Sequence, residues 1–338
     1  MVYHINMNKI TSPPQDNVVN GIRGRQFRNM IFNTLFTKAK LPYDVLLKMC
    51  TPQTIRVFEM AFTAPSADPE ENYELLEFFG DAAYRKALQG VLVKRFPTFN
   101  PSQGSEVRGK NIISIATKVS YCARLEIILK SCNALATMAK DMSIVPYISA
   151  SRDTIDNKMK PLLEDVLEAF IGALQYCVDQ YVQTLEIIPK SVFRCVYNFV
   201  ESLIMSYPIP TTYDDFFDDK SKFNVISNLT KTTLEMKRSP LTYKSVKGGD
   251  SSMYTTTLSM VMDRNGKSML LATSSNEKFK KKDSEQLAAK RGIKTIENVI
   301  EFGDSTGTWS TESLAMAQKI VDHIKNERER VKSFFVEC

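Results

Sequence analysis

The segment at residues 72–82 carries three acidic side chains on one predicted helical stripe. Glu74, Glu77 and Asp81 stand at i, i+3 and i+7, and these spacings share one face of an α-helix. The other positions are mostly leucine, phenylalanine and alanine, so we expect the helix to be packed in the protein. Crowded carboxylates on a packed helix repel one another and lose hydration, and a cation among them offsets both costs. The stripe therefore indicates a metal site.

A second acidic pair lies at residues 161–174, in the sequence PLLEDVLEAFIGAL. Asp165 and Glu168 stand at i and i+3 on a largely apolar predicted helix. Two such helices packed face to face would create a pocket of oxygen ligands, which suits Mg²⁺ or Mn²⁺ better than zinc or copper. The spacing alone is equally compatible with exposed charges on two amphipathic helices.

Several other kinds of chemistry are disfavoured. The only two histidines are His4 and His323, which argues against a histidine dyad, a Ser-His-Asp triad and a histidine-rich zinc site. Neither glycine-rich phosphate-binding motif is present, so a nucleotide cofactor has no support. If the protein is an enzyme, carboxylates must carry its chemistry.

The cellular setting is predicted from cysteines and hydropathy. The six cysteines are scattered, with no C-x-x-C pair, which is typical of reduced thiols inside cells. No uncharged apolar run is long enough to span a membrane. The N-terminus also lacks the basic segment followed by an apolar segment that is typical of a signal peptide. We expect an intracellular protein, not secreted and not in a membrane.

The 338 residues predict about two domains. Residues 1–20 are polar and are interpreted as a flexible arm. Residues 21–206 show three- and four-residue apolar spacing and predict an all-α domain. Its helices are expected at 26–38, 52–63, 72–95, 111–130, 160–182 and 190–206. Residues 207–219 contain two prolines and are interpreted as a linker.

The last third predicts a small α+β domain at residues 220–303, in the order α-β-β-β-α. Its helices are expected at 222–235 and 283–301, and its strands at 241–247, 253–262 and 267–274. Asn265-Gly266 predicts a two-residue hairpin turn, because both positions of that turn need positive φ. Residues 304–338 are interpreted as a charged, solvated helical extension.

The two domains differ in charge. The chain carries a net charge of +6, and residues 219–300 hold 16 basic and eight acidic residues, a net of +8. The rest of the chain therefore sums to −2. This asymmetry favours a polyanion as the partner of the small domain, although a merely soluble basic surface is the plainer alternative.

The two acidic segments resemble the motifs of the ribonuclease III family. The run E-L-L-E-F-F-G-D-A is similar to the family signature N-E-R-L-E-F-L-G-D, and L-L-E-D-V-L-E-A-F-I-G-A is similar to its second motif, L-A-D-x-x-E-A-L-I-G-A. The resemblance spans about residues 52–205. It implies a homodimeric, Mg²⁺-dependent endonuclease for double-stranded RNA, in which Mn²⁺ can substitute, leaving 5′-phosphate and 3′-OH ends with short 3′ overhangs.

The resemblance also implies roles for individual residues. Glu77, Asp81, Asp165 and Glu168 match the family's metal-binding and catalytic carboxylates. Glu74 and Arg108 match positions that contact substrate, and Phe78 matches the residue that inserts into the partner subunit. The sequence departs from the family at Ala64, where a histidine is frequent, and at Leu75, where arginine is usual; neither departure touches the metal set.

The basic run at residues 280–290 resembles the motif K-K-x-A-E-x-x-A-A of double-stranded-RNA-binding domains. Lys280, Lys281 and Lys282 would stand at a helix N-terminus, which already favours phosphate. An ordinary lysine-rich helix start is the alternative. Two further family contacts are altered, because Val225 and Asn228 replace a glutamate and a glutamine and the loop at 247–252 lacks the usual histidine.

Two rival functions remain open: a non-catalytic relative kept as a structural RNA-binding protein, and a helical Mg²⁺ phosphohydrolase of another family. Retention of all four carboxylates disfavours the first, and the basic C-terminal domain disfavours the second. The asparagine-, isoleucine- and lysine-rich composition resembles enzymes of large DNA viruses, which would place the protein in the host cytoplasm. We expect an enzyme of RNA processing or degradation.

Overall fold

The structure, a computed structural model, describes residues 17–95, 115–185, 190–248, 253–266, 268–278 and 280–336. The described residues form two compact units, which divide after Ile209. This boundary falls inside the segment that the sequence predicts as a linker. None of the helices in these ranges combines the length and the apolarity needed to cross a membrane.

The first unit is almost entirely helical. Its elements are β1 (Val18–Val19), α1 (Arg25–Thr37), α2 (Tyr43–Met49), α3 (Pro52–Ala61), α4 (Glu74–Arg95), α5 (Ile115–Leu129), α6 (Cys132–Asp141), β2 (Ala150–Ser151), α7 (Arg152–Leu185) and α8 (Lys190–Ser206). The two short strands pair antiparallel. The prediction of a helical domain is confirmed.

Two helices of this unit were missed, and a third begins earlier than predicted. Helix α2 has only seven residues and α6 only ten, so each offers few helical turns in which an apolar repeat can be recognised. Helix α7 begins at Arg152 rather than at 160, because the Ser151 hydroxyl accepts from the amide of Thr154 at 3.2 Å and caps its first turn. A kink at Lys158, three residues before Pro161, interrupts the helix.

The core of the first unit forms around α7. Phe170 on this helix stacks on Phe199 of α8 with ring centroids 5.0 Å apart, and it also contacts Phe58 and Phe62. All four rings are fully buried. The cluster holds α7 in the interior, and the same helix carries Asp165 and Glu168.

The second unit combines helices with one sheet. Its elements are α9 (Tyr213–Phe216), α10 (Asp219–Thr233), β3 (Leu241–Lys247), β4 (Tyr254–Val261), β5 (Ser268–Lys278), α11 (Lys281–Phe302) and α12 (Thr311–Val336). The strands form an antiparallel sheet in the order β3-β4-β5. The assignment of residues 220–303 as a double-stranded-RNA-binding domain stays a prediction.

The predicted two-residue turn between β4 and β5 is wrong. Val261 pairs with Ser268, and the Gly266 amide donates to the carbonyl oxygen of Asp263 at 3.3 Å, so the turn is centred on residues 264–265 instead. Gly266 has a φ of 72°, whereas Asn265 does not have positive φ. This turn is anchored on the start of α12, because the Asp263 carboxylate accepts hydrogen bonds from the hydroxyls of Ser310 and Ser313.

The interpretation of the C-terminal helix as solvated is wrong for one of its faces. Helix α12 packs on α9, α10 and α11 and buries an apolar stripe that includes Met316, Ile320, Ile324 and Phe334. The segment 213–216, expected to be linker, forms α9 beneath it. The second unit is therefore larger than the predicted 220–303.

Candidate active site

The two acidic helices meet at a pair of glycines. A Cβ atom on Gly80 of α4 would lie 1.7 Å from the backbone oxygen of Glu168 on α7. A Cβ atom on Gly172 of α7 would lie 1.9 Å from the backbone oxygen of Leu76. Because no side chain fits at either position, the two backbones touch. This contact brings the acidic residues of α4 beside those of α7.

Electrostatic coupling joins the four predicted acids into one cluster. Glu168 is buried, and its pKa is raised to about 8, first by burial and then by the charges of Asp81, Glu164 and Glu77. The pKa of Glu77 is also raised, first by burial and then by Asp165 and other nearby acids. Burial and the charges of neighbouring acids therefore make Glu77 and Glu168 harder to ionise.

Two other side chains contact the cluster directly. The Tyr73 hydroxyl donates a hydrogen bond to Oδ2 of Asp165 at 2.9 Å, while burial raises the pKa of Asp165 and Tyr73 opposes that rise. The Lys130 ammonium lies 2.8 Å from Oδ1 of Asp81. Sequence reasoning missed both residues, because the contacts join separate parts of the chain.

A fifth carboxylate was also missed. Glu164 raises the pKa of Glu77, Asp165 and Glu168 by its charge. A sequence signal did exist, because Glu164 stands next to Asp165 and takes the place of an alanine in the family's second motif.

The donor chemistry of the cluster fits a hard divalent cation. Its ligands would be carboxylate oxygens, and a positive charge among them would offset both the burial and the repulsion that raise the pKa values of Glu77 and Glu168. Among the described residues, no three aspartate, glutamate, histidine or cysteine side chains lie close enough together to form a preorganised metal site. Asp81 is paired with Lys130 instead.

The apolar side chains at the start of α4, the helix that carries the ELLEFFGDA run, are more exposed than expected. Leu76 is buried, but Leu75, Phe78 and Phe79 are 63%, 75% and 49% exposed. The expectation that the helix packs these side chains within the chain is wrong for Leu75 and Phe79, and the predicted contact of Phe78 with a partner subunit stays a prediction. They form an apolar patch beside the acids, and the aromatic rings of Phe78 and Phe79 contact each other edge to face.

The other predicted substrate residues lie in different places. Glu74 is exposed at the first position of α4. Arg108 lies outside the described residues. In the second unit, Lys280, Lys281 and Lys282 are exposed at the start of α11. Lys280 occupies the N-cap position of that helix without a side-chain capping bond.

The start of α11 is held by a polar network and by small residues. Ser284 is buried and donates to the carbonyl oxygen of Tyr254 at 3.1 Å. Glu285 pairs with Lys220 at 2.5 Å, and Ala288 and Ala289 are fully buried. These contacts fix the first turn of α11 on the sheet while its lysines face solvent. On α10, Val225 and Asn228 are exposed, and residues 249–252 lie outside the described ranges.

Comparisons with known proteins point to one family. A provisionally named ribonuclease 3 of Invertebrate iridescent virus 6 is 27% identical over 216 residues, covering 61% of this chain and 68% of that protein. A similarly named protein of Frog virus 3 is 25% identical, covering 53% of this chain and 43% of its own length. Ribonuclease 3 of Azobacteroides pseudotrichonymphae is 29% identical, covering 50% and 60%.

No family model matches the chain. The relatives are matched over 43% to 68% of their own lengths. The viral relatives agree with the resemblance to enzymes of large DNA viruses. Together with both acidic motifs on touching helices, these similarities support the resemblance of the chain to the ribonuclease III family.

Proposed function

We propose that this protein is an endoribonuclease that cleaves double-stranded RNA by Mg²⁺-dependent hydrolysis of phosphodiester bonds. The observation that carries the proposal is the contact between α4 and α7 at Gly80 and Gly172. It brings Glu77 and Asp81 of α4 beside Asp165 and Glu168 of α7. Burial and the neighbouring charges raise the pKa values of Glu77 and Glu168, and such a cluster is costly without a bound cation.

Glu77, Asp81, Asp165 and Glu168 would hold the cation, with Mn²⁺ able to replace Mg²⁺. When bound, a divalent cation lowers the pKa of a coordinated water and offsets charge on the phosphate and the leaving 3′-oxygen. The chain contributes a cluster in which Glu168 is buried and Glu77 and Asp165 are partly buried. Lys130 would compete with a bound cation for Asp81. The scarcity of histidines agrees with chemistry carried by carboxylates.

We propose a homodimer as the active form. Leu75, Phe78 and Phe79 form a contiguous exposed apolar patch beside the acids, and such patches commonly mark protein interfaces. A staggered double cut requires two catalytic sites, which two copies would supply. The products would carry 5′-phosphates, 3′-hydroxyls and short 3′ overhangs.

The second unit would hold the RNA. Lys280, Lys281 and Lys282 extend from the N-terminus of a 22-residue helix, where the helix dipole and free amides also attract phosphate. Glu74 and Arg108 would contact the substrate near the cut, as the family resemblance implies. The proposed role is processing or degradation of RNA inside the cell, in the host cytoplasm if the source is a virus.

A cleavage assay tests this proposal. The full chain is incubated with an RNA duplex a few helical turns long in Mg²⁺, with EDTA and a DNA duplex of the same sequence as controls. We expect short RNA duplexes with 5′-phosphates in Mg²⁺ only, and no cleavage of DNA, which lacks the 2′-hydroxyl and the A-form groove. Binding of the RNA duplex without any cleavage would contradict the proposed activity.

A further inference from the structure

Tyr73 contacts both halves of the acidic cluster. It directly precedes α4, and its backbone carbonyl accepts a hydrogen bond from the amide of Glu77 at 2.8 Å. Its side-chain hydroxyl donates to Oδ2 of Asp165 on α7 at 2.9 Å. One residue therefore starts the helix that carries two of the acids and holds a third acid across the helix contact.

The ring of Tyr73 has little freedom to move. The residue is only 7% exposed, and its amide donates to the carbonyl oxygen of Thr63 at 3.0 Å. Both the amide and the carbonyl of Tyr73 are therefore hydrogen-bonded. Because close packing restricts the ring and its backbone is fixed by hydrogen bonds, the hydroxyl is held in one position.

Asp165 depends on this hydroxyl for its orientation. Among the described residues, Tyr73 is the one hydrogen-bond donor to the Asp165 carboxylate. The bond engages Oδ2 and leaves Oδ1 without such a donor. A carboxylate that must share a cation with Glu77 and Glu168 gains from having its rotation fixed in advance.

Building on the proposed function, we propose that Tyr73 is a positioning residue for catalysis, whose hydroxyl fixes Asp165 in the orientation that binds the divalent cation. Removing an outer hydrogen bond of this kind typically lowers metal affinity or activity by about 10-fold to 100-fold. A purely structural hydroxyl would affect the stability of the fold and leave the metal dependence unchanged.

The test compares two Tyr→Phe variants of the full chain. Tyr73→Phe removes the hydroxyl that contacts Asp165. Tyr197→Phe is the matched control, because its hydroxyl also donates to a carboxylate, Glu201, at 3.3 Å. Tyr197 also lies near Lys94, which is about 25 Å along α4 from Glu77 at 1.5 Å per residue.

Three quantities are measured: Mn²⁺ affinity by calorimetry without RNA, the Mg²⁺ concentration for half-maximal cleavage, and the RNA KM at saturating Mg²⁺. For Tyr73→Phe we expect Mn²⁺ binding about 10-fold weaker, a matching rise in the Mg²⁺ requirement and an unchanged KM. Tyr197→Phe should match the wild type in all three.

The outcomes separate this inference from the proposed function. A wild type that cleaves, with the same Mn²⁺ affinity and Mg²⁺ requirement in Tyr73→Phe, would overturn the role of Tyr73 alone. A wild type that never cleaves would overturn the proposed function. If Tyr73→Phe does not fold, Tyr73→His, which keeps a ring donor, is measured instead. An Mn²⁺ affinity equal to that of the wild type supports the need for a donor, and one about 10-fold weaker contradicts it.

Discussion

Gly80 and Glu168 belong to different helices, yet a Cβ atom on Gly80 would lie 1.7 Å from the backbone oxygen of Glu168. A backbone atom cannot move aside as the tip of a flexible side chain can. The distance between α4 and α7, and with it the spacing of the carboxylates, is therefore set by the absence of a side chain at this position.

Gly80→Ala should separate the helices. We expect a loss of unfolding free energy at or above the upper end of the about 1–3 kcal/mol typical of overpacking, together with a loss of cleavage. Gly90→Ala is the control on the same helix, since its Cβ atom would lie 3.2 Å from the Tyr197 ring, which can shift. Urea denaturation and cleavage assays check both variants, and an active, stable Gly80→Ala would refute the tight helix contact.

Phe78→Asp should weaken the proposed dimer. Phe78 is 75% exposed in the single chain, so the substitution should barely affect folding of the monomer. In a dimer it would bury a charge without a partner, at a cost on the order of 3–5 kcal/mol. Phe302→Asp is the matched control, because Phe302 is 76% exposed on the second unit.

Sedimentation velocity at micromolar concentration measures this effect. We expect a wild-type dimer, a dimeric Phe302→Asp and a largely monomeric Phe78→Asp. A wild-type monomer would rule out the proposed assembly, and a dimeric Phe78→Asp would move its interface elsewhere.

Glu168 should make the stability of the metal-free protein depend on pH. Burial and neighbouring acids raise its pKa to about 8 from an ordinary value of 4.5. A group with a raised pKa contributes its stability below the unfolded-state pKa and loses it as pH rises through the folded-state pKa. In EDTA, the denaturation midpoint of the first unit should therefore fall between about pH 4.5 and pH 8.

Glu168→Gln should flatten this pH dependence, because the amide does not ionise. Denaturation midpoints in EDTA at several pH values compare the variant with the wild type. Equal slopes in the two proteins would show that Glu168 is not the group that titrates.

The lysine cluster should contribute to the salt dependence of RNA binding. Each neutralised phosphate releases counterions, so Lys281→Ala combined with Lys282→Ala should flatten the log–log salt slope by at most about two. The change should be similar for duplexes of different sequence. Lys319→Ala combined with Lys332→Ala is the control, because both lysines are exposed on α12. An unchanged slope in the first variant would place the RNA elsewhere.

The sequence predicted the acidic helices because their signals are local. The spacing of Glu77 and Asp81, and of Asp165 and Glu168, can be read within one or two helical turns. The contact of Tyr73 with Asp165 joins residues 92 positions apart, and no local pattern encodes it. The same holds for Lys130, which reaches Asp81 from the end of α5.

Helix α12 shows a different kind of miss. Its apolar stripe, which includes Met316, Ile320 and Ile324, has helical spacing and was available in the sequence. The segment was interpreted from its overall content of charged residues, which lie mostly on the other face of the helix, and not from the spacing of its apolar residues. Leu75 and Phe79 are the opposite case, because apolar residues on a largely apolar helix were expected to pack within the chain and are exposed instead.

Glu168→Gln tests the central claim most directly. The amide keeps the shape of the side chain and removes the charge that would hold a divalent cation. Cleavage of an RNA duplex is measured in Mg²⁺ under single-turnover conditions, alongside RNA affinity in EDTA, with Glu201→Gln as the control at a partly exposed glutamate of the same unit. We predict that Glu168→Gln loses cleavage while its RNA affinity stays at the wild-type value, and that Glu201→Gln cleaves normally. Cleavage by Glu168→Gln at a near wild-type rate would contradict the assignment of the carboxylate cluster as the catalytic metal site.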